Sequence, residues 1–219
     1  VKSSMNNKNK INIIGGGLAG CEAAYQISKL GINVDLYEMR PKTKTEAHNT
    51  EYLGELVCSN SFRSDDKEFN AVGVLHEELR MSDSLIMKTA DLNKVPAGSA
   101  LAVDRDDFAK EINNIIRSNS KINIINEEVK HLDEFEDQIV IVCTGPLTSS
   151  HLSEYIKKKT SENSLAFYDA IAPIIYKDTI DMSIAWKQSR YDKGDGDDYI
   201  NCPLSKEQYY KFIENVKKA

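Results

Sequence analysis

Three glycines, one acid and one cysteine carry the chemistry legible in this chain. Gly15, Gly17 and Gly20 meet the pattern G-x-G-x-x-G, and each position has a physical job in a dinucleotide site. Gly15 permits a tight turn, Gly17 lets a pyrophosphate approach the backbone, and Gly20 lets a helix lie close on a strand. The helix N-terminus then offers free N–H groups and partial positive charge to phosphates. Glu38 follows Gly20 by eighteen residues, near the spacing of a ribose-binding carboxylate. That acid favours a free 2′-hydroxyl, as in FAD or NAD, while Arg40 leaves room for a phosphate, so the nucleotide is not settled. Cys58 sits in Glu55–Ser64 among small polar residues, a mixture that suits a site wall better than a core strand. Thr144-Gly145 ends an apolar run. At the carboxyl edge of a parallel sheet it meets a nucleotide, and elsewhere it is an ordinary strand–turn junction.

The elements that must position these residues follow from periodicity. Ile11–Ile14 is a short apolar strand running into the glycine turn. Leu18, Cys21, Ala24, Ile27 and Leu30 recur at helical spacing, and Gly31 stands where a helix-ending glycine belongs. Ile32–Tyr37 alternates as a second strand and delivers Glu38. Lys42–Glu51 is polar and aperiodic, a long loop. Phe69, Val72, Leu75 and Leu79 mark a helix from about Glu68, and Ser82–Ala90 extends it or starts another; if Ser59 or Ser61 caps the first, Cys58 sits near a helix N-terminus, which favours thiolate. Pro96–Gly98 is a turn and Ala100–Val103 a buried strand. Asp104 caps a helix with Phe108, Ile112, Ile115 and Ile116 on one face. Lys121–Ile125 and Gln138–Cys143 are strands, and Glu127–Phe135 is read as a further one.

The character changes after Ser149. A helix over His151–Lys158 is capped by Ser149 or Ser150, and Phe167–Ile175 is strand-like with a proline that demotes it to an edge. Ser205 and Gln208 form a capping box for a final helix. Asp195, Asp197 and Asp198 lie in a glycine loop without the EF-hand order of acids, which marks a solvated turn rather than a calcium site. The expected organisation is α/β: a Rossmann-like dinucleotide-binding βαβ domain with a parallel sheet over residues 1–150, then the start of a second domain over 151–219. Nothing after residue 150 reads as the late strand and helix that complete such a sheet.

The 219 residues carry a formal charge of −6, which weighs against a broad nucleic-acid face but not against a local one. The four cysteines show no C-x-x-C spacing and no histidine cluster completes a metal site, so no metal is expected. No apolar run approaches a membrane span, and the polar N-terminus lacks a signal core. A cytoplasmic protein is expected.

Several stretches together resemble one family. They are Ile13-Ile-Gly-Gly-Gly-Leu-Ala-Gly-Cys-Glu-Ala-Ala24, Leu36-Tyr-Glu-Met-Arg-Pro41, Glu55-Leu-Val-Cys-Ser-Asn-Ser-Phe-Arg-Ser64, Asn70-Ala-Val-Gly73, Val95-Pro-Ala-Gly-Ser-Ala-Leu-Ala-Val-Asp-Arg105, Cys143-Thr-Gly-Pro-Leu-Thr-Ser149, Phe167-Tyr-Asp-Ala-Ile-Ala-Pro-Ile174 and Ser189-Arg-Tyr-Asp-Lys-Gly194. The chain is similar to the folate- and FAD-dependent tRNA (uracil-5-)-methyltransferases, TrmFO or Gid, over the N-terminal half of a typical member. The resemblance implies transfer of a one-carbon unit from 5,10-methylenetetrahydrofolate to C5 of a T-loop uridine. It also implies that residues 1–150 are a Rossmann-like FAD-binding domain with an incomplete sheet and that 151–219 begin an α+β insertion domain; reduced FAD is the implied carrier, replenished by NAD(P)H. Gly15, Gly16, Gly17, Leu18, Ala19 and Gly20 are implied at the pyrophosphate and Glu38 at the ribose. Arg40, Ser61, Thr144 and Gly145 would line the cofactor, with the Val129 backbone at the adenine.

Cys58 matches the family's first functional cysteine. C5 of uracil is a poor nucleophile until a thiolate adds at C6 or a base removes the C5 proton, and either task needs an ionised thiol. A second functional cysteine and a closing flavin fingerprint fall beyond the region of resemblance, and Cys202 does not replace them. The implied partners are therefore tRNA, folate and a C-terminal half that could be separately encoded. The alternatives are a relative acting on ribosomal RNA, a non-catalytic remnant, and, last, a simple NAD-dependent oxidoreductase.

Overall fold

The computed structural model describes residues 10–161, 175–190 and 196–218. They fall into two units. The first opens with strand β1 (Lys10–Ile14), helix α1 (Leu18–Lys29) and strand β2 (Asn33–Glu38). It continues through β3 (Ser61–Ser64), α2 (Ala71–Met81), α3 (Leu85–Leu92), β4 (Lys94–Val95), β5 (Ala100–Val103), α4 (Arg105–Ser118), β6 (Ile122–Asn126), β7 (Ile139–Val142) and α5 (Ser150–Thr160).

Four strands form a parallel sheet in the order β6-β2-β1-β7. This is the strand order of a dinucleotide-binding half, with the carboxyl ends of β1 and β2 side by side. Ile13, Val34 and Leu36 are buried in its centre, as apolar central strands covered on both faces must be. The ladder is extended beyond β7 when the Cys143 N–H donates to the Ile14 carbonyl at 2.7 Å. β7 is the outer strand, and Ile139 on it is 62% exposed.

Helix α4 shows how sequence becomes packing here. The Asp104 carboxylate accepts from the Asp106 and Asp107 N–H groups at 3.1 and 3.0 Å, which starts the helix. Phe108, Ile112 and Ile116 then face inward and are wholly buried, each contributing about 1.5–3 kcal/mol. They join Ile13, Leu36, Cys21, Ala24, Leu53 and Leu101 in one core cluster.

Helix α2 departs from its expected face and cap. Asn70 caps it by accepting from the Val72 N–H, and neither Ser59 nor Ser61 is near its start in the chain. Phe69 is 87% and Leu75 51% exposed, while Gly73 and His76 are buried. The reason is steric. A Cβ on Gly73 would lie 2.3 Å from the Asp66 backbone, so the helix approaches the chain through its glycine. A further expectation is corrected: residues 127–135 form no strand, only irregular chain and one 3-10 turn over Asp133–Phe135. Helix α5 lies in the first unit, where Leu152 is buried with Ile14, Val129 and Phe135.

The second unit comprises residues 96–100 with the described residues from 175 onward. Strands β8 (Trp186–Lys187) and β9 (Ile200–Asn201) pair antiparallel, and the Tyr199 hydroxyl donates to the Ala97 carbonyl at 2.8 Å. Helix α6 (Lys206–Lys218) begins with a full capping box. The Ser205 hydroxyl accepts from the Gln208 N–H, and the Gln208 side chain accepts from the Ser205 N–H. The strand expected at Phe167–Ile175 lies outside the described residues except for its last position, and so does most of the glycine loop before Gly196. Among the described residues no helix is long and apolar enough to cross a membrane.

Candidate functional site

A cavity of about 590 Å³ opens at the carboxyl ends of β1, β2 and β7, within the roughly 300–1,000 Å³ typical of small-molecule sites. Its floor is the glycine turn. Gly15 has φ of +102°, and a Cβ there would stand 2.8 Å from the Cys143 carbonyl oxygen. Its N–H donates to the Tyr37 carbonyl at 2.8 Å, so the turn is clamped between β2 and the end of β7. Gly20 is closer still: a Cβ would lie 1.8 Å from the Gly15 carbonyl oxygen, which permits only glycine where α1 crosses the turn.

Gly17 is different. A Cβ there would meet no atom within 4 Å. The residue caps α1 with no side-chain hydrogen bond, and no acid stands in the first turn of the helix. The orphan N–H groups of that turn carry partial positive charge, and Gly17, Leu18 and Ala19 border the cavity.

Glu38, at the end of β2, is buried beside this turn. One carboxylate oxygen accepts from the Gly16 N–H at 3.0 Å. The other accepts from the Arg40 N–H at 3.0 Å and the Arg40 Nε at 2.8 Å. Burial pushes its pKa up, but the Arg40 hydrogen bond and charge outweigh this, with help from the two backbone donors, and hold it below the ordinary carboxylate range.

A single comparison decides the lineage: the family model for GIDA, glucose inhibited division protein A, matches residues 10–219. The chain belongs to the GIDA family. Curated relatives include proteins of Bartonella tribocorum, 58% identical over 95% of this chain, and of Zymomonas mobilis, 57% identical over 92%. A protein of Rhizobium meliloti is 56% identical over 93%. All three are named methylenetetrahydrofolate–tRNA-(uracil-5-)-methyltransferase TrmFO, and the chain spans 44–45% of their length. A crystal structure of Aquifex aeolicus GidA aligns with a TM-score of 0.46 at 16% identity, over 59% of this chain and 21% of that one.

The remaining residues singled out in this GIDA-family sequence meet at the same cavity. Cys58, Ser61, Val129, Thr144 and Gly145 all line it. Gly20 does not, and serves the turn from behind. Cys58 is exposed, and its carbonyl accepts from Arg105, the first residue of α4, at 3.4 Å. Ser61 starts β3, where its hydroxyl accepts from the Arg63 N–H at 3.1 Å. Thr144 shares a hydrogen bond of 2.6 Å with Thr148, whose hydroxyl also donates to the Gly145 carbonyl at 2.7 Å, a brace for the turn after β7.

Two other cysteines are close by. Cys21 is buried under the turn, its thiol 3.3 Å from the Gly16 carbonyl, and burial with the Glu38 charge pushes its pKa up to about 12. Burial raises Cys143 as well. Neither is an ionised nucleophile at neutral pH.

Sequence reasoning missed Glu55. Its side chain is 5% exposed and accepts from Arg40 Nη1 at 2.7 Å. The available signal was an acid between Leu53 and Leu56, both buried. Local pattern cannot reveal that its partner stands fifteen residues upstream.

Proposed function

We propose that the chain is the flavin-nucleotide and thiol-bearing part of a methylenetetrahydrofolate–tRNA (uracil-5-)-methyltransferase. The observation that carries the reading is Gly17, whose open side faces a cavity flanked by the uncapped start of α1 and by Glu38. Gly15 and Gly20 are glycines because backbone fills the space beside them. Gly17 has no such neighbour, and room for a diphosphate accounts for it. The names and identities of the relatives favour the same chemistry.

In this reading Gly15, Gly16 and Gly20 shape the turn, and the N–H groups of Gly17, Leu18 and Ala19 at the start of α1 hold the pyrophosphate. Glu38 accepts from ribose hydroxyls, and the Val129 backbone borders the adenine. Ser61, Thr144 and Gly145 line the remaining cofactor, while Arg40 acts beneath it. Bound reduced FAD supplies the electrons and carrier for the one-carbon unit of 5,10-methylenetetrahydrofolate, with NAD(P)H as reductant.

Cys58 works on the RNA base. As thiolate it adds to C6 of uracil, which makes C5 nucleophilic, and departs when the C5 proton is lost. Alternatively it removes that proton itself. Arg105 holds the segment by its contact with the Cys58 carbonyl. The substrate is a tRNA uridine, and the location is the cytoplasm.

Titrating the 219-residue chain with FAD and following flavin fluorescence tests the reading. Saturable quenching that ADP competes away is expected. An absence of binding by both FAD and ADP would overturn it.

A further inference from the structure

We propose that Glu55, acting through Arg40, is a positioning residue that sets Glu38 for a ribose with a free 2′-hydroxyl and turns away a 2′-phosphate. The proposal rests on the nucleotide reading of the cavity and adds its selectivity. Its practical meaning is that NADPH is kept out of the flavin site.

The geometry is a three-group relay. Arg40 is 3% exposed, with its Nε on Glu38 at 2.8 Å and its Nη1 on Glu55 at 2.7 Å. The same Nη1 lies 3.4 Å from the Thr50 carbonyl. The second oxygen of Glu55 accepts from the Asn49 and Thr50 N–H groups at 2.8 and 3.0 Å, so the acid is itself fixed by its loop. An arginine after the second strand is the usual receptor for a 2′-phosphate. Here it is committed to two carboxylates and cannot turn to a third anion without leaving one of them buried and unpaired.

Charge completes the argument. Two carboxylates and one guanidinium sum to one net negative charge beside the ribose position. A hydroxyl donates into that charge, because Glu38 keeps acceptor capacity beyond its three backbone and side-chain donors. A phosphate placed there meets like charge at low dielectric. Removing the Glu55 charge leaves Arg40 with one carboxylate partner and brings the cluster to neutrality, which weakens the selection.

The test compares ADP-ribose with 2′-phospho-ADP-ribose by calorimetry on the full chain, alongside FAD. Wild type is expected to prefer ADP-ribose by about a hundredfold, the scale of a buried like-charge juxtaposition. In Glu55→Gln that ratio is expected to fall by about tenfold or more, with Glu55→Asp retaining most of it. A merely structural loss weakens both ligands equally and leaves the ratio alone, which overturns the proposal. Equal binding of both ligands by wild type also overturns it, whether or not the variants fold. A wild type that takes neither FAD nor ADP-ribose instead removes the nucleotide reading, and the proposal with it.

Discussion

The Gly15 carbonyl oxygen lies 1.8 Å from where a Cβ on Gly20 would stand, so the two glycines are one steric unit. Neither backbone segment is the far end of a flexible side chain, and neither can yield cheaply. Gly20→Ala is expected to destabilise the chain by about 3 kcal/mol or more, the upper range for overpacking. Chemical denaturation followed by circular dichroism measures it, and an unchanged midpoint contradicts the geometry.

Gly17 is expected to behave in the opposite way. Its φ of −77° suits any residue, and nothing stands beside it. Gly17→Ala is expected to leave stability within about 0.5 kcal/mol of wild type. FAD affinity should drop by about tenfold, because the methyl occupies the pyrophosphate's path. Paired unfolding and flavin titrations separate the two effects.

Acid should weaken the fold through Glu38. Its pKa is lowered from an ordinary value of 4.5 because Arg40 and two backbone donors outweigh burial. Asp65 is lowered likewise from 3.8, where hydrogen bonds from His76 and Arg80 outweigh burial. The unfolded chain therefore binds these protons first, so stability is full above about pH 5 and declines as pH falls through the lowered values. Urea midpoints between pH 7 and pH 3 trace the decline, and Glu38→Gln should make it shallower.

Thiol chemistry should sort the cysteines. Iodoacetamide at neutral pH is expected to reach the exposed Cys58 and Cys202 first and Cys21 last, since Cys21 is buried and pushed up to about 12. Peptide mass spectrometry reads the order. FAD should slow labelling at Cys58, which lines the cavity, and leave Cys202 unaffected.

Local pattern carried the β1–α1–β2 unit because its signals are short in range: an apolar strand, a glycine turn, a helical period and Gly31 at φ +79°. Asp104 and the Ser205–Gln208 box were legible for the same reason. Residues 127–135 misled because Val129 and His131 alternate like a strand. Val129 is in fact held by a satellite cluster with Phe135 and Leu152 rather than by a ladder. Helix α2 misled because its inward side is set by the close approach of Gly73, which hydrophobic spacing does not register. The site glycines, Glu38 and Cys58 announced themselves by type. Glu55 did not, because its meaning depends on a partner that only the folded loop supplies.

The outer side of β7 has no partner among the described residues, and Ile139 and Val142 stand open along it. Such a margin is adhesive: any extended peptide can dock there by main-chain hydrogen bonding. Handled alone, the chain should therefore self-associate as its concentration rises. Ile139→Lys, which puts a charge beside that rim, should restore monodispersity in light scattering while leaving the opposite flank at β6 undisturbed.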